Sequence, residues 1–296
     1  MNILFKRVSG PFQSELGGIT WNGQEVLFSL LDEMVIKQYN PITQLTSDFR
    51  KYTGRINGIA FDKKTNIIYA AQEGGRRVIQ LLPDGSASVT ALRYEGAIHN
   101  HPSDLTLDDQ EKIWFCDPYS EVLAFGPQVF PKLEHASIMR IEKNERHAFV
   151  MKRMTFDTQA PRAVLLSKDQ NTLFVAEGDL TTHVRELRAY SIQENDQLGR
   201  PKVFYTFGQD DWGIHRGIEG LCLDHLGNIL ACGGSFAAGP GPMLFIFATD
   251  GHLIKSIPLP FDKPAKIALG GASLQNLYIT AGDGYLYEWE NFAYDE

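Results

Sequence analysis

Short apolar runs, rich in β-branched and aromatic side chains, alternate with polar turns along the whole chain, and six of them share one phrase. They read Gly17-Gly18-Ile19-Thr20-Trp21, Asn57-Gly58-Ile59-Ala60-Phe61, Ser103-Asp104-Leu105-Thr106-Leu107, Arg162-Ala163-Val164-Leu165-Leu166, Glu219-Gly220-Leu221-Cys222-Leu223 and Ala265-Lys266-Ile267-Ala268-Leu269. After each comes a turn such as Asp62-Lys63-Lys64-Thr65 or Asp224-His225-Leu226-Gly227, and then a second apolar run such as Asn66-Ile67-Ile68-Tyr69-Ala70-Ala71. A third, alternating run follows, as in Arg77-Val78-Ile79-Gln80-Leu81. Runs this short, bounded by turn formers, predict strands joined as hairpins. No long amphipathic helix pattern interrupts them.

The phrases start at Gly18, Gly58, Asp104, Ala163, Gly220 and Lys266, with gaps of 40, 46, 59, 57 and 46 residues. A four-stranded antiparallel blade takes about 40–50 residues, so the spacing predicts an all-β, six-bladed β-propeller. Residues 1–296 then form one domain. The run Ile3-Leu4-Phe5-Lys6-Arg7-Val8 is expected to supply the outer strand that closes the last blade. The two longest gaps mark insertions over Ala124 to His135 and Gln193 to Trp212. In a radial repeat the opening residues of the phrases face one axis. The chemistry should therefore be readable from Gly17, Asn57, Ser103, Arg162, Glu219 and Ala265.

Composition narrows the function classes. The chain has 296 residues, 43% hydrophobic and 22% charged, with net charge −8. No clustered basic face is present, so nucleic acid is not an expected partner. No run approaches a membrane span and the N-terminus lacks the long apolar core of a secretion signal, which predicts a cytoplasmic protein that meets small molecules. Cys116, Cys222 and Cys232 are far apart without a CxxC, so neither a disulfide nor a cysteine metal site is indicated. There is no Gly-x-Ser-x-Gly elbow, and covalent catalysis is not suggested. No cofactor is expected.

Several phrases resemble bacterial gluconolactonases and the wider group that includes regucalcin and luciferin-regenerating enzyme. They are Arg55-Ile56-Asn57-Gly58-Ile59-Ala60-Phe61-Asp62, Gly74-Gly75-Arg76-Arg77-Val78, Tyr94-Glu95-Gly96, Asn100-His101-Pro102-Ser103-Asp104-Leu105 and Ile113-Trp114-Phe115-Cys116-Asp117-Pro118. The resemblance implies a six-bladed propeller and a divalent metal held by opening residues of the repeats. At those positions this chain has Gly17 for a glutamate, Ser103 and Arg162 for asparagines, and Glu219 for an aspartate. Calcium wants six to eight oxygen ligands. A divalent ion about 4 Å from a guanidinium is repelled by roughly 8 kcal/mol at an effective dielectric near 20. The family metal is therefore expected to be absent, with Arg162 as the local cation and Glu219 as its carboxylate partner. The other ways to keep a metal are through Glu15 or through the His99-x-His101 pair.

The expected roles follow. Arg162 binds an anion or stabilises an oxyanion, unless it is a structural ion pair. Glu219, His101 and His215 move protons. Asp104 is either a reagent or an acceptor for backbone donors at the start of a strand. Asn57, Glu73, Asn100 and Ser103 line the substrate site. The predicted activity is a metal-independent, lactonase-like hydrolase for a small, polar, anionic lactone. A metal-free lyase, isomerase or cyclase acting on a small carboxylate, or a non-catalytic binding propeller, are the alternatives.

Overall fold

The computed structural model describes residues 5–119, 133–178 and 184–294. The predicted insertion from Ala124 lies mostly outside them. Among the described residues there is no helix, and the strands form six four-stranded antiparallel sheets plus two short hairpins.

Each predicted phrase is the first strand of a blade. Blade 1 is Leu16–Trp21, Val26–Leu30, Val35–Asn40 and Leu45–Lys51. Blade 2 is Ile56–Asp62, Ile67–Gln72, Arg77–Leu81 and Ala87–Val89. Blade 3 is Asp104–Leu107, Ile113–Asp117, Ser137–Lys143 and Phe149–Arg153. Blade 4 is Pro161–Leu166, Thr172–Gly178, Arg185–Ser191 and Lys202–Thr206. Blade 5 is Ile218–Leu223, Ile229–Ser235, Ala238–Phe247 and Leu253–Pro258. Blade 6 is Pro264–Gly270, Asn276–Ala281 and Leu286–Trp289, completed by Lys6–Ser9 from the other end of the chain. That closure is as the sequence predicts: Lys6 pairs with Glu288 and Arg7 with Tyr287. Phe5 anchors it, its ring set edge-on to Phe261 at 5.3 Å and to Trp289 at 5.4 Å.

The blades belong to two compact units. One comprises Met1–Thr53 and Phe207–Glu296, hence blades 5, 6 and 1; the other is Gly54–Thr206, with blades 2, 3 and 4. Within each unit the apolar cores lie between neighbouring blades. Tyr69, Ala71 and Val78 of blade 2 pack on Ile113, Phe115 and Met139 of blade 3. In the other unit Leu230, Leu244 and Ile246 of blade 5 pack on Leu277, Ile279 and Trp289 of blade 6. Burying one such side chain contributes about 1.5–3 kcal/mol. The alternation of faces explains the sequence pattern, because both faces of a middle blade are covered and its second strand is apolar throughout.

Glycines let first strands approach each other within a unit. A β-carbon on Gly58 would lie 2.7 Å from Asp104 Cα, and one on Gly220 would lie 2.8 Å from Lys266 Cα. Both sites are the second letter of the repeated phrase, which accounts for glycine there.

Candidate functional site

The opening letters of five phrases are β-bulges. The ladder between first and second strands slips between Leu16 and Ile19, Ile56 and Gly58, Pro161 and Ala163, Ile218 and Gly220, and Pro264 and Lys266. The extra residues are Gly17 (with Gly18), Asn57, Arg162, Glu219 and Ala265. Pairing resumes two residues earlier in every case. Leu31 N donates to Glu15 O, Glu73 N to Arg55 O, Gly178 N to Ala160 O, Gly234 N to Gly217 O and Gly282 N to Lys263 O. A bulge bracketed on both sides by ladder bonds re-aims one side chain without fraying the strand end. Asn57, Arg162, Glu219 and Ala265 are each half-buried between two buried neighbours. Ser103, the sixth letter, stands just before its strand. It is buried, and its N–H donates to Cys116 O at 3.1 Å.

In the unit of blades 2 to 4, the stem of Arg162 runs over Gly178, where a β-carbon would sit 2.7 Å from Arg162 Cγ. The loop leading to Arg162 is fixed by buried Glu177, whose Oε1 accepts the N–H groups of Gln159 and Ala160. Asp104 Oδ2 accepts the Val164 N–H at 3.3 Å. That is the strand-fastening role, tying blade 3 to blade 4. Glu73 is buried and paired with Arg55, Oε2 to Nε at 3.1 Å. Its carboxylate holds a neighbouring arginine two residues before Asn57.

His99, Asn100 and His101 are fully buried. Arg76, itself buried with a left-handed backbone (φ +50°), donates through Nε to His99 O at 2.8 Å and Asn100 O at 3.2 Å. Asp117 accepts the Asn100 N–H at 2.9 Å and the His101 N–H. Asn100 Nδ2 reaches Asp117 O and His135 O. Burial pushes Asp117 up to about 7 against the pull of these donors and of Arg76. His99 Nε2 lies 3.0 Å from Ala91 O and its ring packs edge-on to Phe115. A carbonyl only accepts, so this nitrogen carries the proton. Burial takes His99 down to about 4. The His-x-His spacing thus belongs to a packed clamp, with His99 committed to the fold.

In the other unit, Glu219 Oε1 accepts a hydrogen bond from Arg216 Nε at 3.2 Å. Arg216 was not singled out by the sequence pattern; its place three residues before an opening letter was the available signal. His215, expected to move protons, has Asp210 as its neighbour, Nε2 to Oδ2 at 3.3 Å. Buried Lys266 follows the Ala265 bulge, and its N–H donates to Thr280 Oγ1, which also bonds Gly17 O at 2.8 Å. Cys232 lies in reach of Lys266, Glu219 and Arg216. Burial holds its thiol at about 12, so it is an inert core thiol rather than a nucleophile.

Taken unit by unit, the residues at the implied ligand positions do not fit a divalent metal. In the unit of blades 5, 6 and 1, Gly17 brings no side chain and Glu219 is already hydrogen-bonded to Arg216. In the unit of blades 2 to 4, Arg162 brings a fixed positive charge. Glu15 is exposed to solvent. Among the described residues, no three His, Cys, Asp or Glu side chains are grouped as metal ligands. A polar cleft of about 450 Å³ lined by Asp108, Lys112, Trp114 and Asp196 lies at the other end of blades 3 and 4, away from the opening residues. Lys112 and Arg140 both pair with its Asp196.

Six four-stranded antiparallel blades, each opening on a first strand of the same design, define a six-bladed β-propeller. Residues 17–283 match the SMP-30/Gluconolactonase/LRE-like region, and the chain belongs to that family. A gluconolactonase of Xanthomonas campestris has the same fold, with a TM-score of 0.78, 22% identity, and coverage of 96% of this chain and 88% of that one. A luciferin-regenerating enzyme aligns with a TM-score of 0.75 at 15% identity, covering 98% and 96%. Regucalcin of Agrobacterium tumefaciens, a calcium-binding protein, aligns with a TM-score of 0.73 at 14% identity, covering 97% and 93%. No curated protein sequence matches the chain.

Proposed function

We propose that the protein is a lactonase-like hydrolase of small, polar, anionic lactones that works without the family metal. The observation that carries this reading is the chemistry of the bulge positions. They keep the family frame but present Arg162 and Glu219 in place of a metal-ligand set. Arg162 binds the substrate carboxylate or stabilises the oxyanion that forms when water adds to the lactone carbonyl. Glu219 takes the proton of the attacking water. Collapse of the adduct breaks the ring C–O bond, and the proton passes to the departing ring oxygen, giving the open hydroxy acid. His215, with Asp210 Oδ2 3.3 Å from its Nε2, is the second proton carrier. Fully buried His101, with Asn100 and Asp117, holds the wall of the site rather than handling the substrate.

The test is metal analysis of the purified protein alongside hydrolysis of an anionic sugar-acid lactone, glucaro-1,4-lactone, in excess chelator. Turnover that survives chelation without a stoichiometric metal supports the reading. A stoichiometric divalent ion whose removal abolishes turnover refutes it.

A further inference from the structure

The unit of blades 5, 6 and 1 carries two hairpin turns at the end of blade 5 where Glu219 lies. One joins Gln209–Asp210 to Gly213–Ile214 and exposes Trp212; the other joins Ile229–Ser235 to Ala238–Phe247 and exposes Phe236. The register fixes the second: Ile218, just before Glu219, pairs with Gly233, and Ser235 pairs with Ala238. The first is tied to it, since a β-carbon on Gly213 would touch Ala238 Cβ at 3.8 Å. Trp212 is 84% exposed and Phe236 64%, whereas Trp114 and Trp289 are buried.

These rings stand in water on braced backbone. Asp210 Oδ1 accepts the N–H groups of Trp212 (2.9 Å) and Gly213 (3.1 Å), and its Oδ2 accepts that of Gly239 (2.8 Å). His215 packs on Gly239, where a β-carbon would lie 2.9 Å from its ring. Phe236 N donates to Asp262 Oδ1 at 2.8 Å, and Ala237 N to Ser235 Oγ at 3.0 Å. A mounting already ordered before binding lowers the entropy cost of contact.

We propose that Trp212 and Phe236 are a stacking platform for the C–H face of a sugar-like ring, seated beside the Glu219–Arg216 pair. The C–H bonds of a polyhydroxylated ring are weakly positive and pack on the negative face of an aromatic ring. The carboxylates of Asp210 and Asp262 at the base of both turns favour such a ring over a hydrocarbon. Hydroxyls can hydrogen-bond them, whereas a hydrocarbon would strip their water without replacing it. The position beside Glu219 rests on the hydrolase reading, but the platform is tested apart from turnover.

The experiment titrates the protein with three unreactive rings: glucono-1,5-lactam, methyl β-D-glucopyranoside and myo-inositol. Tryptophan emission and calorimetry are read in the wild type, Trp212→Ala, Trp212→Phe and Phe236→Ala. The expected result is a saturable emission change with at least one ring, lost in Trp212→Ala. Affinity should fall roughly three- to tenfold in each alanine variant and be largely kept in Trp212→Phe. The proposal is overturned if no ring gives a saturable response, or if Trp212→Ala binds as well as the wild type. An emission shift that tracks protein concentration alone also overturns it, because a second copy then covers the rings. A platform response in a protein that hydrolyses no lactone supports the platform and refutes only the hydrolase reading.

Discussion

Arg162 lies across the bare backbone of Gly178, with no room between them for a methyl group. A β-carbon on Gly178 would come within 2.7 Å of Arg162 Cγ and 3.4 Å of its Nε. The atoms in the way belong to a flexible side chain, so the fold can yield where the arginine cannot stay. Gly178→Ala should therefore leave stability within about 1 kcal/mol while lowering lactone turnover on the order of 100-fold, the scale of losing an oxyanion donor. Arg162→Lys should not restore what Arg162→Ala loses, because an ammonium lacks the planar fork. Full turnover in Gly178→Ala, measured beside unchanged thermal unfolding, would sink the assigned place of Arg162.

Glu219→Gln keeps the shape and the acceptor for Arg216 but cannot take a proton. Turnover should fall at least about 100-fold with little change in binding of an unreactive lactam. Arg216→Ala should change both, because it frees the carboxylate from its hydrogen bond. Equal losses of affinity and turnover in Glu219→Gln would instead point to a binding role.

The clamp around Asn100 makes a stability prediction in which two groups oppose each other. His99 is lowered in the fold, from 6.5 to about 4, so its contribution is present above 6.5 and lost as pH falls towards 4. Asp117 is raised, from 3.8 to about 7, so its contribution is present below 3.8 and lost as pH rises towards 7. Between about pH 4 and 6.5 the two slopes, about 1.4 kcal/mol per pH unit each, nearly cancel. Denaturant unfolding at several pH values should show His99→Gln losing stability with rising pH and Asp117→Asn gaining it. Parallel pH profiles in the two variants would contradict the assignment.

Closure of blade 6 rests partly on one ring. Phe5 meets Phe261 and Trp289 edge-on, and Arg7 covers the Tyr285 ring at 4.4 Å. Phe5→Ala should cost about 1–3 kcal/mol, read as a shift of the denaturant midpoint, and should leave turnover per folded molecule unchanged.

The fold was legible because a blade writes itself locally: a first strand, a turn, a second strand apolar on both faces. The six opening letters were legible for the same reason, and five prove to be bulges. The surroundings of those letters were not legible, since they depend on which side chains cross between strands. Nothing adjacent in sequence links Arg162 to Gly178, and the Arg76 head reaches the carbonyls of His99 and Asn100 from another blade. His99 and His101 show the limit most clearly. Their spacing suits a ligand pair, but total burial and the Ala91 carbonyl make His99 a part of the core. The carboxylate beside His215 is that of Asp210, brought in by a hairpin turn.

The bulges separate two inheritances that most strands carry together. A paired residue answers to its neighbours on both sides, so its identity is tied to the sheet. The extra residue of a bulge owes the ladder nothing: glycine, asparagine, arginine, glutamate and alanine all occupy the same slot in this one chain. Such slots can be rewritten one at a time while the framework stays standing. Ala265, small and half-buried, is the natural place to install a new functional group.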